Sequence, residues 1–148
     1  MLVRHLAIVL GLGVGLAPTV VHAKAKPGRF AVYVGGKLVI DRSNGLVWAR
    51  AQGDKALSQA DATKACKDNA AGLAGTGWRL PSRAELLSLV DSAAHDPAID
   101  AAFAGTAPEV FWSASAVAKA AMFWAVDFKL GTTVQAKPET LARVRCVR

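Results

Sequence analysis

Few side chains in this sequence have the types and spacing that chemistry needs. There are two cysteines, Cys66 and Cys146, and only one histidine, His95, lies beyond residue 22. A thiolate activated by an imidazole can act as a nucleophile, but it needs a third group to orient the base. His95 precedes Asp96-Pro97 in a segment that reads as a turn, with no such group beside it. The alternative is one disulfide, as an even cysteine count in an exported protein implies. It would close a loop of roughly 80 residues, worth about 4.5 kcal/mol on the chain-entropy model.

Carboxylates offer a second kind of chemistry. Asp41, Asp100 and Asp127 could converge on a cation such as calcium, which takes carboxylate oxygens. No dense Asp/Asn loop surrounds them, and an Asp at a strand end or turn more often caps the backbone. No His, Cys and Asp cluster has metal-ligand spacing. Gly75 and Gly77 follow a predicted helix, not the strand that precedes a phosphate-binding loop. The chain is therefore read as a non-enzyme with no cofactor and no metal.

Binding is the remaining option. Trp48, Trp78, Trp112 and Trp124 could form a platform for sugars, but each sits among apolar residues and reads first as core. The planar fork of Arg79 suits a fixed carboxylate, with Glu85 and Asp127 as candidates. Arg143 and Arg145 share one face of a predicted C-terminal strand, Arg148 follows, and Lys129 and Lys137 flank the neighbouring hairpin. Together these five form a candidate patch for sulfate or phosphate groups. The competing reading is charge that guards an exposed strand against edge pairing.

The elements that position these residues follow from the order of the chain. Arg4 and His5, an apolar run from Leu6 to Leu16, and Val21-His22-Ala23 make residues 1–23 a secretory signal peptide, with cleavage after Ala23. Secretion or a periplasmic location follows, with no membrane anchor left after cleavage. Only Arg4 of the 18 Lys and Arg, and none of the 11 acids, falls in that segment, so the remainder carries a formal charge of +6. Such an excess suits an acidic glycan or an envelope protein as partner; nucleic acid is not expected. One domain fits the remaining length.

Residues 24–36 form a short basic, mobile leader (Lys24–Arg29) and a first strand. Phe30–Val34 and Lys37–Asp41 flank Gly35-Gly36 as a hairpin, and Leu46-Val47-Trp48 follows the turn at Asn44-Gly45. A helix is predicted from Gln59 to about Asn69, with a face of small residues that includes Cys66. Ser82 and Glu85 form a capping box, so a second helix starts there and runs to about Ser92. Gly75 to Leu86, with Trp78 and Pro81, is the rigid link between the two helices. The last third is β-rich: Phe111–Ser115, Met122–Phe128, Thr132–Gln135 and Leu141–Arg148. Strands, two helices, then strands describe an α+β fold with both helices beside a mostly antiparallel sheet; pairing of its first and last strands would bring the termini together.

Asp41-Arg42-Ser43-Asn44-Gly45-Leu46-Val47-Trp48, Ala65-Cys66, Gly77-Trp78-Arg79-Leu80-Pro81-Ser82, Phe111-Trp112-Ser113-Ala114-Ser115, Trp124-Ala125-Val126-Asp127-Phe128 and Val144-Arg145-Cys146-Val147-Arg148 occur in this order. This series resembles the C-terminal domain of the Legionella collagen-like adhesin and its bacterial relatives, over residues 37–148. The resemblance implies a C-type-lectin-like fold, an extracytoplasmic location and a Cys66–Cys146 disulfide. It also implies an adhesin-like module, associated in the adhesin with sulfated glycosaminoglycans. The collagen-like stalk of that adhesin is not part of this sequence.

Overall fold

The computed structural model describes residues 28–148; the expected signal peptide and most of the expected leader lie outside them. Two antiparallel three-stranded sheets and two helices make the fold α+β. The first sheet is a meander of β1 (Phe30–Tyr33), β2 (Leu38–Asp41) and β3 (Val47–Ala49), with Phe30 opposite Asp41 and Leu38 opposite Ala49. Its first turn carries three successive positive φ angles, at Val34, Gly35 and Gly36. β1 precedes residue 37 yet is paired along its length with β2, so this strand is part of the sheet.

Helix α1 (Gln59–Lys67) is capped by Ser58, whose hydroxyl accepts from the Asp61 amide. Ala62 and Cys66 are buried on its inner face, and the small side chains there let the helix lie against β4. Helix α2 (Arg83–Leu87) starts at Ser82 with both halves of the capping box formed. It is only five residues long, shorter than the apolar stripe predicts. Val90 leaves the helix to bridge Ile99, so pairing competes for residues that would have extended it. Asp100 then caps a 3-10 turn, Ala101–Phe103, which drives Phe103 into the core.

The second sheet has the order β4 (Val110–Ala116), β5 (Phe123–Asp127), β6 (Thr132–Ala136). β5 is central, as its two apolar faces require. Ala125 on one face packs with Trp112 and the inner face of α1, while Val126 on the other joins Leu86 of α2, Phe111 and Phe128. Trp48, Trp78 and Trp112 are buried, as the core reading expects. Trp124 differs: it is half-buried, with the Arg83 guanidinium 4.5 Å above its ring.

Residues 141–148 do not form a strand in a sheet. They make isolated bridges instead: Ala142 to Leu57, Arg143 to Phe111, and Val147 to both Trp48 and Arg79. The segment is thus a strap that joins the edge strand β3 of one sheet to β4 of the other. It pairs with β3 and not with the first strand. The reason is that β1 already occupies the far edge of the meander.

Candidate functional site

Cys66 and Cys146 form a disulfide, which ties the inner face of α1 to the strap. Both sulfurs are therefore committed, and His95 is an exposed side chain with Asp96 as its neighbour. Asp41, Asp100 and Asp127 each accept a backbone N–H two residues on, from Ser43, Ala102 and Lys129. They act as caps at three separate turns. Asp41 is also gripped by Arg29, at 3.0 Å from Nε to Oδ1, and Arg29 donates to the Ser88 carbonyl at 2.9 Å. Burial of Asp41 opposes its charge, but hydrogen bonds from Arg29 and Ser43 outweigh this and hold its pKa below the usual value. Arg29, expected in a mobile leader, is a fixed part of the domain.

The link between the helices holds the predicted ion pair. Arg79 meets Glu85, not Asp127, through two parallel bonds. Further along the link, Gly75 adopts φ +88°, and a Cβ there would lie 2.7 Å from the Arg148 guanidinium carbon. That guanidinium sits 5.5 Å from the centre of the Trp78 ring.

The five basic candidates do not form one patch. Arg145 is 1% exposed, which removes it from any surface. Its Nη1 donates to the carbonyls of Ala49, at 2.7 Å, and Arg50, and its Nη2 donates to the Thr106 hydroxyl at 2.6 Å. The rings of Phe103 and Phe111 lie 5.0 and 5.8 Å from the guanidinium carbon. No carboxylate faces it among the described residues. Burial pushes its pKa down to about 9, so it still carries its charge at neutral pH. Backbone carbonyls and aromatic faces take the place of a counter-ion. Arg143 is held by Glu109, with Nε to Oε2 at 2.8 Å, and by the Asp54 carbonyl at 3.0 Å. Arg148 is exposed but stacked on Trp78, Lys129 is exposed on the β5–β6 turn, and Lys137 is exposed just after β6. The strap runs between two layers, which buries Arg145 and leaves Arg148 as its exposed, unpaired cation among the described residues.

The structure reveals a concavity that the sequence reading missed. A cleft of about 580 Å³ opens between the end of the meander, the connection after β3, α1 and the strap. Ala49, Ala65, Leu73, Val144 and Cys146 form its inner wall, all buried or half-buried. The exposed side chains of Lys37, Asp54 and Lys55 stand at its mouth. Gln52 also lines it and is anchored by accepting the Ala107 amide at 2.7 Å. Lys37 and Lys55 have no carboxylate within salt-bridge distance among the described residues. The one available signal was the run of small residues at Ala70-Ala71-Gly72 after a helix that is itself small-faced.

The family model described as Lcl C-terminal domain matches residues 37–148. No curated protein matches the chain. The match covers most of the chain, so the protein belongs to the Lcl C-terminal domain family.

Proposed function

With that membership as premise, we propose that the protein is a non-catalytic binding module of the cell envelope, secreted or periplasmic, that recognises acidic glycans. The family is adhesin-associated, and the match over residues 37–148 is the observation that carries the reading. Its scaffold, on this reading, is C-type-lectin-like. A disulfide inside the core fits a chain that folds in an oxidising compartment. A signal peptide cleaved after Ala23 would deliver it there.

Charge supplies the attraction. Lys37, Lys55, Arg83, Lys129, Lys137 and Arg148 are exposed and lack a carboxylate partner among the described residues. These cations are spread over several elements, which suits a long polyanion that contacts many of them weakly. The purified protein should bind a heparin column and elute near physiological salt. Passage through the column at low salt would overturn the polyanion reading.

One observation favours a second reading, a protein-interaction module that binds no glycan. Val32, Tyr33 and Val34 are 47%, 59% and 40% exposed and lie together at the tip of the first hairpin. Capture of a defined envelope protein, lost on Tyr33→Ser, together with a flat glycan-array profile would replace the first reading with this one.

A further inference from the structure

The cleft beside the disulfide has a chemistry unlike that of a glycan platform. None of the four tryptophans, nor any other aromatic residue, lines it. Its inner wall is Ala49, Ala65, Leu73, Val144 and the Cys146 side of the disulfide. Such a wall offers apolar contact and almost no hydrogen bonding. A sugar there would lose the solvation of its hydroxyl groups without replacement. At the mouth stand two lysines without acidic partners and the single carboxylate of Asp54. The balance of charge is positive and sits where the apolar wall ends.

From this arrangement we propose that the cleft binds a small amphipathic carboxylate: an aliphatic body of about ten carbons against the inner wall, with its anionic end at Lys37 and Lys55. A cleft of about 580 Å³ lies in the size range of small-molecule sites. The body gains by leaving water, and the head keeps its hydration at the exposed mouth. The lysines fix the direction of entry, since the reverse orientation would bury the carboxylate against an apolar wall. Gln52 is held by its bond to the Ala107 amide, and the disulfide fixes α1 against the strap, so the walls are preorganised. This inference does not rest on the glycan reading.

Sodium decanoate is the probe, titrated into the full protein and followed by amide chemical shifts. Shifts that saturate and are confined to Gly53, Ala65, Ala70, Leu73 and their neighbours are expected. Ala71 is exposed on the cleft lining, and Ala71→Trp should abolish the shifts while leaving heparin retention unchanged. Lys37→Ala with Lys55→Ala should weaken decanoate at least tenfold and leave 1-decanol unaffected; this pair also covers a failure of Ala71→Trp to fold. Absence of saturation, shifts centred elsewhere, or undiminished binding by folded Ala71→Trp would overturn the site. Equal affinity for decanol and decanoate would overturn the anionic assignment. Loss of heparin retention in folded Ala71→Trp would reassign the cleft to the glycan and overturn this proposal alone.

Discussion

Arg79 and Glu85 meet fork to fork, at 2.9 Å from Nη1 to Oε2 and 2.7 Å from Nη2 to Oε1. The same Glu85 Oε2 accepts the Ser82 amide at 2.8 Å, so one carboxylate closes the helix cap and anchors the preceding link. The Arg79 bond is the main reason that the Glu85 pKa falls to about 2.

Stability should therefore depend on pH through this group. A carboxylate whose folded pKa lies below its unfolded value contributes fully above the unfolded pKa and loses that contribution as pH falls through the folded one. For Glu85 the window runs from 4.5 down to about 2. Glu85→Gln should lower stability by roughly 1 kcal/mol at pH 7, a modest figure because Arg79 is half-exposed. Urea unfolding at several pH values should show wild type and variant converging near the lower end of the window. A constant gap down to that limit would refute the linkage.

Arg145 is the side chain with the most to lose. Arg145→Ala would leave the Ala49 and Arg50 carbonyls and the Thr106 hydroxyl without their donor and open a cavity between Phe103 and Phe111. A loss of about 3–5 kcal/mol is expected from orphaned polar groups and lost packing. Arg143→Ala, which removes the pair with Glu109 on the surface, should cost far less. Thermal denaturation of the two variants side by side checks the ranking.

Gly131 tests the packing of the β5–β6 turn. Its φ is +70°, and a Cβ would stand 2.9 Å from Val90 Cγ1 and 3.2 Å from Ala98 Cβ. Gly131→Ala should destabilise by about 1–3 kcal/mol, from backbone strain and overpacking together. Gly45, with φ +77° but nothing within 4 Å of its Cβ position, carries only the strain. Gly45→Ala should thus be the milder of the two in chemical denaturation.

The disulfide gives a chemical prediction. Non-reducing peptide mapping should recover Cys66 joined to Cys146, and Cys66→Ser with Cys146→Ser should cost about 2–5 kcal/mol of stability. Two free thiols in the folded, exported protein would contradict the pairing.

Local patterns in the sequence were the legible part of this structure. Ser82 and Glu85 announce their cap because both partners lie within one turn, and β5 shows its central place through two apolar faces. The strap is the instructive failure. Alternation from Leu141 to Arg148 reads as a strand with one outer face, yet Val144 and Arg145 are both buried. The donors of Arg145 end on acceptors 96, 95 and 39 residues away, and no local pattern carries that information. The cleft was hidden for a similar reason. Its walls come from five separate stretches, each unremarkable by itself.

The strap also sets an order of events. Ala142, Val144, Arg145 and Val147 follow the sheets and helices in the chain, and all are buried between elements that precede them. Until they arrive, β3 lacks its outer partner, Arg79 lacks its bridge and Cys66 lacks its other half. The domain therefore cannot close before this segment has been made.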